Sequence, residues 1–175
     1  MITSQDFKQA MARLTGAVTV ITTCDSSGLP WGFTATTFCS LSLDPPLVLF
    51  CLSKDAECSQ AFLHGNGFVV HVLAEQQCDL ARRFATKGRA KYEEVVFGSS
   101  RMGLPLLAGA LVIFECKQQA VYPGGDHNIL VGQVEQVEHG APMKPLLYAM
   151  QNYGTFVALS NAGEPVPLVK KEQNL

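Results

Sequence analysis

ALVIFECKQQAVYPGGDHNILVGQVEQVE, residues Ala110 to Glu138, is the stretch that decides the fold. Its first half, Ala110 to Tyr122, is extended. Ala110, Val112, Phe114 and Cys116 fall on one face and Glu115, Lys117 and Gln119 on the other, the two-residue period of a strand with one buried side. The second half, Asn128 to Glu138, supplies a partner strand. Between them, Pro123-Gly124-Gly125-Asp126-His127 carries turn chemistry, since glycine takes positive φ with no Cβ to obstruct it. The pair reads as a long antiparallel hairpin.

Upstream, Val18 to Thr23 is rich in β-branched residues, Asp25 to Pro30 is a turn, and Trp31 to Phe38 resumes an extended pattern, which predicts a second hairpin. Leu47 to Leu52 is apolar at every position, as expected of a strand buried on two sides, and Phe68 to Leu73 is a further strand. Helices are few and short. Thr3-Ser4-Gln5-Asp6 fits a capping box, followed by Phe7, Ala10, Met11 and Leu14 at helical spacing up to Gly16. Ser53 is a candidate cap for a helix carrying Ala56, Ala61, Phe62 and Leu63, and Glu75 to Phe84 predicts another, with Arg82 and Arg83 at its basic end. Tyr153 to Leu159 is a last extended segment. Residues 1–160 therefore read as one domain and 161–175 as a polar, mobile tail. Many strands without βαβ alternation predict a mainly β fold, a closed or nearly closed barrel.

At 175 residues, with 47% apolar and 16% charged residues, the chain can bury a core without disulfides, and part of its surface is expected to be covered by a second subunit. A net charge of -2 offers no footprint for nucleic acid or anionic lipid. The six cysteines form no Cys-x-x-Cys pair and read as free thiols. With a polar start and no membrane-length apolar run, a cytoplasmic location is expected.

Several chemistries are set aside. Gly98 to Gly103 has the outer glycines of a phosphate loop, but Leu104 stands where lysine is required. No Gly-x-Gly-x-x-Gly follows a strand, no Gly-x-Ser-x-Gly elbow occurs, and His64, His71, His127 and His139 lack metal-ligand spacing, so no metal is expected. Two candidate sites remain. Thr34-Ala35-Thr36-Thr37 crowds hydroxyls onto one strand, either to meet the polar edge of a ring or because threonine forms strands well. Gly125-Asp126-His127 sets a histidine beside a carboxylate at a hairpin mouth, either as a site or as a polar turn.

Taken in order, Gly32 to Phe38, Ser42-Leu43-Asp44-Pro45-Pro46-Leu47-Val48, Leu80 to Phe84, Gly103-Leu104-Pro105, Glu115-Cys116 and Gly125-Asp126-His127 resemble the flavin reductase domain of two-component flavin-dependent monooxygenases, over roughly Phe7 to Val157. The resemblance implies an FMN-binding split β-barrel, a homodimer, and reduction of FMN or FAD by NADH or NADPH for a separate oxygenase. It implies that Thr34, Ala35, Thr36 and Thr37 contact the isoalloxazine and ribityl groups. It places Ser53, Lys54 and Ser59 at the phosphate, and counts Arg83 and Phe84 with the cofactor set. Gly125, Asp126, His127 and Tyr153 fall to the nicotinamide, with His127 as the catalytic position. Where relatives usually carry asparagine, this chain has His71. Two further readings stay open: a tightly held flavin serving another acceptor, such as a ferric chelate, and a flavin carrier without turnover.

Overall fold

The computed structural model describes residues 1–161 and 163–166. In chain order the elements are α1 (Ser4–Met11), β1 (Gly16–Ala17), β2 (Thr19–Cys24), β3 (Pro30–Ala35), β4 (Cys39–Ser42), β5 (Leu47–Ser53), α2 (Ser59–His64), β6 (Gly67–Val72), α3 (Cys78–Phe84), β7 (Gly98–Ser99) and β8 (Pro105–Leu106). There follow β9 (Val112–Gly124), β10 (His127–His139), β11 (Leu146–Ala149), β12 (Asn152–Thr155), β13 (Ala158–Leu159) and β14 (Pro165–Val166). The expected long hairpin is β9 and β10, turning on Gly125 at φ +70°.

Seven antiparallel strands run in the order β3-β2-β6-β9-β10-β5-β4. The two edge strands of this sheet, β3 and β4, are joined by only Thr36-Thr37-Phe38. So short a link draws the edges together and curls the sheet into a split barrel. The Phe38 ring lies 5.5 Å from that of Phe114, and Phe33, Phe50, Phe62 and Phe68 fill the interior at centroid separations of 4.9–5.8 Å. A second core lies under α3, where Val18, Val20, Leu73, Ala81 and Phe84 are all buried. A smaller sheet, β1-β11-β12, is fastened to the barrel by the Val18 N–H to Leu146 C=O, the Leu146 N–H to Leu73 C=O and the Leu73 N–H to Val18 C=O bonds.

His71, fully buried on β6, stitches this region together. Its Nδ1 lies 3.0 Å from the Val20 carbonyl and its Nε2 accepts the Leu107 N–H at 3.0 Å, which defines a neutral ring with the proton on Nδ1. Burial pushes its pKa down to about 4.

Four local expectations are corrected. Residues Leu47 to Leu52 are not buried on both sides: Val48, Phe50 and Leu52 are buried and the alternate residues half-buried, since a barrel has a single interior. Ser53 caps no helix; α2 begins at Ser59 behind Cys58, and the Ser53 hydroxyl accepts from the Asp55 N–H at 3.3 Å. The first helix keeps its capping box at Thr3 and Asp6 but ends at Met11, and it buries none of its residues. Strand β3 stops at Ala35, short of Phe38, where the chain turns to close the barrel. The β11 strand had no expectation at all. Of the expected tail, Pro165–Val166 pairs back onto Ala158–Leu159, and Ala162 and residues 167–175 lie outside the described residues. Among the described residues, no helix is long and apolar enough to cross a membrane.

Candidate flavin and nicotinamide site

An edge strand offers backbone groups that no neighbouring strand uses. On β3 that edge is half covered. The Tyr92 hydroxyl accepts the Gly32 N–H at 2.9 Å and donates to the Gly32 C=O at 3.2 Å, and the Arg89 guanidinium stacks over Tyr92 and Trp31 at 4.3 and 4.8 Å. Antiparallel alternation then aims the Thr34 N–H and C=O off the same edge, two residues further on. There a cleft of about 440 Å³ opens, floored by Val18, Thr34, Ala35 and Thr36 and walled by Tyr148, Tyr153 and Arg82.

Within it the two threonines differ. The Thr34 hydroxyl donates to the Ala81 carbonyl of α3 at 2.7 Å, which fixes its rotamer and leaves its oxygen to accept. The exposed Thr36 side chain has no hydrogen bond among the described residues. The Tyr148 and Tyr153 rings meet edge to face at 5.1 Å, and the Arg82 guanidinium lies 5.6 Å from the Tyr153 ring centre. Burial and the neighbouring Cys78 and Tyr148 push the Tyr153 phenol up, so it stays a neutral donor at neutral pH.

A second locus forms where β5 meets the β9–β10 turn. His127 stands opposite Ser53 in the register, the Lys54 N–H donates to the Asp126 C=O at 3.0 Å, and the Lys54 ammonium donates to the Gly125 C=O at 2.6 Å. Asp126 Oδ1 lies 2.7 Å from His127 Nδ1, and this bond and the histidine's charge hold the Asp126 carboxyl below its usual range. The His127 side chain is 44% exposed, its Nδ1 is engaged by Asp126, which orients the ring, and its Nε2 has no hydrogen-bond partner among the described residues. Ser53 and Lys54, assigned by resemblance to a phosphate, thus share one patch with Gly125, Asp126 and His127, three of the four residues assigned to nicotinamide.

Two consecutive residues link the loci. Thr36 lies in the cleft, and Thr37 turns to β5, where its hydroxyl accepts the Cys51 N–H at 3.1 Å. Ser53 and its partner His127 lie two residues on, roughly 7 Å along the strand.

The remaining candidates separate from this arrangement. Tyr153 stands in the threonine cleft, away from the His127 hairpin. Ser59 is 2% exposed at the start of α2, and Phe84 is 1% exposed, packed on Tyr92 and Phe97 beneath α3. Neither side chain offers surface to a ligand in this chain. Arg83 is exposed, with its guanidinium on the Glu93 carbonyl at 2.9 Å. Sequence reasoning read Arg82 only as a helix end and overlooked Tyr148, Gln151 and Asn152. The repeated tyrosines around a polar Gln151-Asn152 pair were the available signal. A further cavity of about 500 Å³, at the far end of β2 between Cys24, His64 and Met102, contains none of the expected residues.

The split β-barrel is the fold of solved flavin reductases on which this chain superposes. The chain belongs to the flavin reductase like domain family, whose profile matches residues 11–156. It is 37% identical over 155 residues to the actinorhodin polyketide dimerase of Streptomyces coelicolor, covering 89% of this chain and 88% of that one. It is 35% identical over 147 residues to the flavin-dependent monooxygenase reductase subunit HsaB of Rhodococcus jostii, covering 84% and 75%. The NADH:FAD oxidoreductase SgcE6 of Streptomyces globisporus, solved with NAD and FAD fragments, superposes with a TM-score of 0.82 at 32% identity, over 89% of this chain and 96% of that one.

Proposed function

We propose that this protein is an NAD(P)H-dependent flavin reductase: it takes hydride from NADH or NADPH onto FMN or FAD and supplies the reduced flavin to a separate monooxygenase. The observation that carries the reading is the threonine pair, Thr36 in the cleft and Thr37 bonded to β5, joining the ring-sized cleft to the His127 patch.

The residues present fit a flavin. The cleft offers off-edge backbone groups at Thr34, an unengaged hydroxyl at Thr36 and two tyrosine rings. Bound cofactors supply the redox chemistry, nicotinamide C4 as hydride donor and flavin N5 as acceptor. The protein contributes preorganised donors and position. The Thr34 N–H and Thr36 hydroxyl present donors to the polar edge of a ring, where negative charge develops on reduction. His127, oriented by Asp126, holds the nicotinamide end, and Lys54 fixes the turn that presents it. No side-chain nucleophile takes part.

The same reading includes a homodimer, supported by α1, whose Phe7 and Met11 are 56% and 47% exposed. It also includes the cytoplasm, a compartment in which six unpaired thiols persist. Anaerobic mixing of protein, flavin and NADH or NADPH tests the activity through loss of the flavin's visible absorbance. Colour that persists with riboflavin, FMN and FAD alike refutes it. Sedimentation equilibrium tests the dimer, and a monomer mass refutes that part.

A further inference from the structure

Three clefts run in series along the β11–β12 hairpin. The threonine cleft meets a second, of about 400 Å³, across Gln151, which lines both, and a third, of about 510 Å³, across Tyr153. Their charge is uneven. Arg82 lines the first and Arg13 the second, and no carboxylate lines either, whereas Glu75 lines the third. On a chain of net charge -2, two guanidinium groups thus line two adjoining clefts whose linings hold no carboxylate.

Both arginines are available. Arg82 pairs at 3.3 Å with Asp79, whose side chain is 97% exposed, and an ion pair so open to water contributes little. Arg13 makes no ion pair among the described residues.

An independent feature fixes the junction. Met150 and Gln151, at the hairpin tip, have φ of +50° and +61°, a left-handed backbone that residues with side chains seldom adopt. The turn is held by the Met150 N–H donating to the Ala12 carbonyl at 2.6 Å and by the Asn152 side-chain amide donating to the Met150 carbonyl at 2.8 Å. The turn is the two-residue link of a hairpin, between paired Ala149 and Asn152, which takes positive φ at both central residues. Here it sets Gln151 on the boundary of the two clefts and ties Ala12, next to Arg13, to the same turn.

We infer that Arg13 and Arg82, on either side of Gln151, form an anion-binding extension of the threonine cleft that takes the diphosphate of a dinucleotide. The inference rests on the flavin reductase reading. Guanidinium matches phosphate oxygens with a planar fork of donors, and riboflavin, FMN and reduced nicotinamide mononucleotide all lack the diphosphate that would span the two clefts. Two dinucleotides carry it, FAD and the reduced nicotinamide coenzyme.

The test compares matched pairs in the full chain and in its Arg13→Gln and Arg13→Lys variants: KM for FAD against FMN, and for NADH against reduced nicotinamide mononucleotide. Arg13→Gln is expected to raise KM for one dinucleotide on the order of tenfold, with its mononucleotide moving less than about twofold, and Arg13→Lys to recover part of the loss. Selective loss of FAD assigns the diphosphate to the flavin, and selective loss of NADH to the nicotinamide coenzyme. Unchanged dinucleotide values, or equal shifts within both pairs, overturn the inference. If the native protein reduces no flavin, the reductase reading fails on its own. Calorimetric binding of FAD, FMN and NADH to native protein and Arg13→Gln then decides the extension by the same selectivity.

Discussion

The Thr37 hydroxyl bridges the backbone of Cys51, accepting its N–H at 3.1 Å and lying 3.3 Å from its carbonyl, in the place where a neighbouring strand would otherwise pair. That side chain ties the β3–β4 link to β5, next to Thr36 in the cleft and two residues from Ser53, the partner of His127 on β10.

Thr37→Val removes that bridge and is expected to cost about 1 kcal/mol of stability. Thr36→Val breaks no bond within the described residues and should change stability by less than about 0.5 kcal/mol. Both should weaken flavin binding. Urea unfolding alongside flavin fluorescence titration separates the two effects, and equal stability losses would refute the distinction.

His127→Ala is expected to raise KM for NADH on the order of tenfold while KM for flavin moves less than about twofold. Asp126→Asn, which keeps a hydrogen-bond acceptor but removes the charge beside the ring, should have a smaller effect in the same direction. Steady-state rates with each substrate varied in turn check both, and a parallel loss for flavin and NADH contradicts the assignment.

His71 makes stability depend on pH. Its pKa is about 4 in the fold against an ordinary 6.5, so between those values the unfolded chain binds a proton that the native ring refuses. Stability is therefore complete above about pH 6.5 and falls as pH drops toward 4, by about 1.4 kcal/mol per unit and about 3 kcal/mol in all. Urea unfolding from neutral pH to about 4.5 measures this slope. A His71→Gln variant, less stable at neutral pH, should lack that contribution, and an unchanged slope would refute a buried neutral ring.

Gly132→Ala should destabilise without touching the site. An added Cβ runs into the Phe68 ring and comes within 3.0 Å of the Cys116 Cβ, inside the barrel. The expected cost is about 1–3 kcal/mol, with both KM values unchanged at temperatures where the variant is folded. Native thermal stability would show that the barrel accommodates the methyl group.

Local sequence was legible wherever a short-range rule applied. Alternating faces and glycines located the β9–β10 hairpin, and a capping box at Thr3 located α1. The ordered motifs from Gly32 to His127 pointed to the flavin reductase family. Leu47 to Leu52 misled because an all-apolar run does not say whether both faces or one will be covered, and barrel closure covers one. Phe84, a residue of the Leu80–Phe84 motif, and Ser59 were expected at a cofactor from the family resemblance, but the helices that carry them turn both side chains inward.

By itself the sequence determined the two long hairpins, the strands Leu47 to Leu52 and Phe68 to Leu73, and the family, since those follow from residues adjacent or alternating along the chain. The fold alone decided that Arg13 and Arg82, 69 positions apart, flank one turn, and that Tyr153 joins the threonines instead of the histidine. Those neighbours are made by sheet curvature and by the docking of β11–β12 on the barrel. Both arise from long-range hydrogen bonds and core packing, which leave no periodic trace in the order of the amino acids.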